Sequence, residues 1–256
     1  MPVSLLVGCA LLCAAPPAPA LLPPPTAAPP PSEVVVANDN RRPAGSLRGG
    51  VLTLRLEVRQ GTWRPESDSG AALPVQAFAE VGGPLRVPGP FVRVPVGTEI
   101  RATVHNTLRD SALVVHGLSD RPSSGDSGVR IKPGETRELR FVVRAPGTYY
   151  YWGSTTGRGI EDREWLDSQL SGAIVVDPPG AREDDRTFVI GMWIQEADSS
   201  GPVPRPAREI LTINGKSWPY TERFTFTVGD SIRWRWVNPT VSTHPMHLHE
   251  IGRAHV

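Results

Sequence analysis

Thiols are nearly absent from this sequence. Its two cysteines, Cys9 and Cys13, sit close to the start, so everything after them is without a disulfide, a cysteine-based zinc site or a cysteine nucleophile. Lysine is scarce as well: Lys132 and Lys216 are the only lysines among 27 basic residues, a compositional bias with no function attached. The net charge of +1 excludes the strongly basic footprint of a nucleic-acid binder. No apolar run reaches the roughly 20 residues of a membrane-spanning helix. With 39% apolar and 21% charged residues, the chain is not a disordered acidic tail either. Catalytic serine signals are missing too: there is no Gly-x-Ser-x-Gly elbow, and Asp110, Ser111 and His116 do not make a triad.

Proline, by contrast, is abundant at 28, concentrated in the first 31 residues. The apolar run at 5–15 has the length of a signal-peptide core. Ala18-Pro19-Ala20 resembles a small-x-small cleavage site, and Leu6-Val7-Gly8-Cys9 fits a lipoprotein processing box. Residues 1–20 are therefore expected to be a signal peptide, with the protein exported to the periplasm or the cell exterior, in a lipid-anchored form if Cys9 is processed. Residues 21–46 are expected to be an extended Pro/Ala-rich linker.

From residue 47 the dominant period is two. Leu52, Leu54, Leu56 and Val58 alternate with polar residues, as do Ile100, Ala102 and Val104, and Leu139, Phe141 and Val143. Phe224, Phe226 and Val228, and Ile232, Trp234 and Trp236, repeat the pattern. Such alternation between Gly, Pro, Asn and Asp turns is the signature of half-buried strands and predicts an all-β chain built from sandwiches. The best helical stretch, 159–169, reads as one turn in a loop. A first sandwich is expected at 47–178. The apolar strand 187–194 starts a second at 186–249, which is short against the about 100 residues of a full sandwich. Glu161-Asp162-Arg163-Glu164 and Glu183-Asp184-Asp185-Arg186 read as solvated loops. Tyr149-Tyr150-Tyr151-Trp152 alternates across a strand, half core and half interdomain packing.

Histidine carries the chemistry. Of six, three form His244-Pro245-Met246-His247-Leu248-His249. On a strand His247 and His249 share a face, while His244, before Pro245, can address another site. Neutral imidazole ligates copper, zinc, iron and nickel, and three within six residues are hard to explain by packing.

This motif resembles the first histidine motif of the last copper-binding domain of the multicopper oxidases, the laccase family. Ile213-Asn214-Gly215-Lys216 and Val228-Gly229-Asp230-Ser231 resemble the strands leading into it. Leu113-Val114-Val115-His116-Gly117 sits where the family has His-x-His-Gly, and Gly147-Thr148-Tyr149-Tyr150-Tyr151-Trp152-Gly153-Ser154 where it has Gly-Thr-Tyr-x-Tyr-His-x-His. The resemblance implies cupredoxin-like Greek-key domains, one complete and a second truncated, with copper as cofactor. Intact members couple one-electron oxidation of a phenol or metal ion to dioxygen reduction. It implies that His244 binds the type 1 copper, that His247 and His249 bind the type 2 and type 3 coppers, and that His116 is a type 3 ligand.

The departures are as informative. The family's first domain supplies two His-x-His pairs; here the positions read Val114, His116, Trp152 and Ser154. One of four ligands remains, and His105 lies on the wrong strand to replace another. No later His-Cys-His segment completes a type 1 site. No catalytic residue is therefore assigned and no normal oxygen-reducing cluster is expected. The alternatives are a non-catalytic copper-binding or electron-transfer protein and a purely structural cupredoxin scaffold. Residues 250–256, Glu250-Ile251-Gly252-Arg253-Ala254-His255-Val256, back-translate to GAG ATC GGA AGA GCA CAC GTC. That string contains the start of a common short-read sequencing adapter, so these residues are expected to be an adapter artefact.

Overall fold

Leu52, Leu54, Leu56 and Val58 are all buried on one face of a single long strand, β4 (Val51–Trp63). In this computed structural model, residues 33–120, 127–181, 185–200, 204 and 206–246 are described. The signal peptide, the first part of the linker, His247, His249 and residues 250–256 lie outside them. Around β4 an eight-stranded sheet assembles from β1 (Glu33–Val34), β2 (Val36–Ala37), β3 (Ser46–Arg48), β5 (Leu73–Glu80), β6 (Arg86–Val87), β8 (Glu99–Asn106) and β11 (Thr136–Val142). Its main path runs β11-β8-β4-β5-β6-β2, with β1 and β3 also paired to β4. A five-stranded sheet holds β7 (Val92–Pro95), β9 (Leu113–His116), β10 (Val129–Ile131), β12 (Gly147–Ser154) and β13 (Ser171–Asp177), ordered β10-β9-β12-β13-β7. The two sheets close on a core that includes Leu54, Val58, Phe78, Ile100, Val104, Leu113, Val115, Tyr151 and Ile174. This is the β-sandwich that the alternation predicts, and the stretch 159–169 contains a single 3-10 turn, Ile160–Asp162.

The second piece comprises β14 (Arg186–Gln195), β15 (Arg208–Ile213) and β16 (Trp234–Val237), ordered β15-β14-β16. The first half of β14 pairs parallel with β16, and its second half pairs antiparallel with β15. The apolar surface of this sheet is shared with the sandwich. Trp193 and Ile210 pack with Val35, Trp63, Val75, Ala77 and Leu85. Val189 and Val237 pack with Phe91, Ala173, Val175 and Tyr150. Both faces of β5 are buried for this reason, and no periodicity in its own residues shows it.

Three expectations are corrected. The supposed linker carries two short strands: β1 lies parallel to β4 beside Gly61 and Thr62, and β2 pairs with β6. Val35 is buried, and Asn38 and Asn40 are buried and hydrogen-bonded, so these residues have the apolar area and polar partners that a solvated linker lacks. The alternation at Phe224, Phe226 and Val228 is not a strand, because no described strand pairs with it; Phe224 instead meets Phe188 edge-on at 5.6 Å. In the charge run at 161–164, Arg163 is only 2% exposed, for reasons given next.

Candidate metal centre

The register of β9 against β12 decides how the four family positions meet. Trp152 lies opposite His116, and Ser154 opposite Val114. Leu113, Val115 and Tyr151 point into the sandwich core, so by strand alternation Val114, His116, Trp152 and Ser154 share the other face. Tyr150 on that face packs against Val189 and Val237, which places the face towards β14 and β16. The sequence-predicted positions are thus brought together on one surface.

What occupies that surface is not a ligand set. The rings of His116 and Trp152 stack with centroids 4.0 Å apart and planes 8° from parallel. Gly128, at φ +66, passes so close that a Cβ there would lie 2.6 Å from His116 Cε1 and 2.8 Å from Nε2. Trp152 Nε1 is buried without an acceptor; an indole N–H is a donor only and offers a metal no lone pair. The Ser154 hydroxyl donates to Asp167 Oδ2 at 3.1 Å. The same oxygen accepts from Thr155 N, Thr156 N and Thr156 Oγ1 at 2.9, 3.2 and 2.9 Å. Asp167 therefore organises the turn after β12, and Ser154 is engaged in that turn. Val114 has no donor atom. The first sandwich contributes one imidazole where a trinuclear copper group needs several, so its residues do not fit such a group.

Sequence reasoning missed Arg163. Its guanidinium carbon lies 5.0 Å from the Trp152 ring centroid. Nη1 donates to the carbonyls of Gly153, Asp167 and Leu170 at 3.0, 2.6 and 3.2 Å, and Nη2 to Pro239 O at 3.1 Å. Burial lowers its pKa to about 10, against the opposing pull of Asp167 and Tyr150, so the group stays cationic at neutral pH. The signal was the loss of histidine at 152 and 154, which obliges other side chains to fill that face.

His244 stands in a loop that braces itself. Asn238 Nδ2 donates to Ser242 O at 2.8 Å, and Thr240 Oγ1 lies 2.7 Å from Asn238 Oδ1 and 3.2 Å from His244 Nε2. Which partner donates between Thr240 and His244 Nε2 follows the imidazole tautomer, and the ring nitrogen that carries the lone pair is the one able to ligate a metal. Among the described residues no three His, Cys, Asp or Glu side chains converge as a metal cluster.

A multicopper oxidase family model matches residues 77–180 and a second matches 194–251, together more than half of the chain. The chain belongs to the multicopper oxidase family. It is 32% identical over 151 residues to the L-ascorbate oxidase of Cucumis sativus, a match covering 50% of this chain and 24% of that protein. It is 35% identical over 183 residues to the multicopper oxidase MmcO of Mycobacterium tuberculosis, covering 64% of this chain and 34% of the relative. The blue copper oxidase structure from Nitrosomonas europaea superposes with a TM-score of 0.55 at 18% identity, over 73% of this chain and 61% of that one; that likeness shows the cupredoxin fold. The chain spans about a quarter to a third of the length of these two curated relatives. Copper is the cofactor that membership of this family implies.

Proposed function

We propose that this multicopper oxidase homologue binds copper through the histidine segment His244, His247 and His249 and does not assemble an oxygen-reducing trinuclear cluster. The observation that carries the reading is the shared face of β9 and β12, where Val114, Trp152 and Ser154 stand beside His116. His244 fits a copper site as a single nitrogen donor through the ring nitrogen that Thr240 does not engage, and His116, stacked on Trp152, adds at most one imidazole from the first sandwich. Copper would supply one-electron redox chemistry. The chain's own part is to hold the His244 imidazole against Thr240 and to keep the face around Trp152 filled by protein. A phenolic or metal-ion electron donor belongs to the same reading. So does export to the periplasm or cell exterior, which the apolar run at 5–15 supports; among the described residues no helix is long and apolar enough to cross a membrane.

Copper titration of the full chain, followed by electron paramagnetic resonance, tests this. The expected result is Cu(II) bound with nitrogen hyperfine structure, lost when His244, His247 and His249 are replaced by alanine, with no oxygen uptake in the presence of a phenol or a reduced metal ion. Four coppers per chain with oxygen consumption would overturn it. A folded wild type that binds no copper would favour the structural-scaffold alternative.

A further inference from the structure

We propose that Arg163 is the positioning residue of the His244 segment, a protein cation that ties the approach to the histidine motif onto the first sandwich. As a statement about copper this rests on the reading above; as a statement about the segment it does not. Two observations carry it. The first is that one buried guanidinium collects four carbonyls, three of which, Gly153, Asp167 and Leu170, belong to the end of β12 and the loop leading to β13, while the fourth is Pro239, just beyond β16. The second is that the residue after Pro239 is Thr240, whose hydroxyl holds His244 Nε2. Arg163, Pro239, Thr240 and His244 thus form a continuous path from the sandwich to the imidazole.

The chemistry suits the task. A planar guanidinium can serve several carbonyls at fixed angles and still lie on an aromatic ring. The Asp167 carboxylate makes no hydrogen bond to it; its Oδ2 serves the turn at 154–156, and it acts on the cation only through space. The positive charge is instead met by carbonyl dipoles and the Trp152 face. Trp152 and Arg163 together therefore replace ligands with a clamp: the face that would hold imidazoles for a metal holds a side-chain cation.

The test compares the wild type with Arg163→Lys and Arg163→Met, first without metal. Hydrogen exchange at the Thr240 and Ser242 amides, which donate to Asn238 Oδ1 and Thr240 Oγ1, is expected to rise several-fold in Arg163→Met and less in Arg163→Lys, which keeps a charge but loses the planar fork. The amides of β4 and β8 should keep wild-type protection. With Cu(II) added, Arg163→Met is expected to bind about tenfold more weakly and to show a heterogeneous hyperfine pattern, partly recovered in Arg163→Lys. Unchanged exchange at Thr240 and Ser242, or an equal rise in every strand, overturns the proposal. If Arg163→Met does not fold, the lysine variant decides by the same criterion. A wild type that binds no copper sinks the copper reading, while the exchange pattern still decides the clamp.

Discussion

Tyr151 and Gly172 face each other across β12 and β13, and the pair shows how tightly single residues are specified. The Tyr151 ring is fully buried, its hydroxyl donates to Pro90 O at 2.7 Å, and a Cβ on Gly172 would lie 2.5 Å from the ring. Gly172→Ala is expected to cost about 1–3 kcal/mol through displacement of that ring, read as a lower urea midpoint with an unchanged slope. At this scale the candidate site was half legible. His116 and His244 announce themselves by residue type, and Trp152 and Ser154 by where histidine should stand. Arg163 sits in a charged run that reads as solvated, because nothing in Glu161-Asp162-Arg163-Glu164 tells which side chain turns inward to find carbonyls 76 residues away.

Between elements, the seam of β7, β13 and β16 is held by charge. Arg93 donates to Asp177 and Asp185, and Arg235 donates to Asp185 and to Thr148. Burial alone would raise the Asp185 carboxyl, but the hydrogen bonds from Arg235 and Arg93 outweigh it and hold the group below its ordinary 3.8. A carboxyl lowered in the folded state adds stability that is fully present above the unfolded value and is lost as pH falls through the lowered one. The seam should therefore weaken below about pH 4, and Asp185→Asn should flatten the acid limb of the stability profile. At neutral pH that variant should cost about 1–3 kcal/mol, since Arg235 loses its nearest carboxylate while Arg93 keeps Asp177. Strands with a clear period, such as β4 and β8, were readable because one face meets the core and the other meets polar surroundings. The strands at 33–37 were not, since Val34, Val35 and Val36 form a short run beside a proline-rich head and acquire their role only from Gly61, Thr62 and Arg86. Phe224 and Phe226 alternate as a strand would, but alternation creates no strand without a partner.

For the molecule as a whole, the shared clusters make the sandwich and the three-stranded sheet interdependent. Trp193, 1% exposed among residues of both, is the joint. Trp193→Ala is expected to cost about 3–5 kcal/mol, and far-UV dichroism and tryptophan fluorescence should report one coincident transition. Phe226, Val228 and Ile232 are exposed, so the folded chain should bind an apolar dye, and Phe226→Ser should reduce that fluorescence without lowering the melting midpoint. Asn40 carries a different consequence. Its amide donates to Thr187 O and to Asn214 Oδ1, a partner 174 residues further along the chain. At the ordinary pace of translation, about 5–20 residues per second, roughly ten seconds or more separate the synthesis of the two asparagines. Until residue 214 emerges, the Asn40 side chain cannot complete its hydrogen bonding. That stitch of the fold is therefore made after synthesis has passed both sheets of the sandwich, and a nascent chain stalled before that point should remain open to proteases around Asn40.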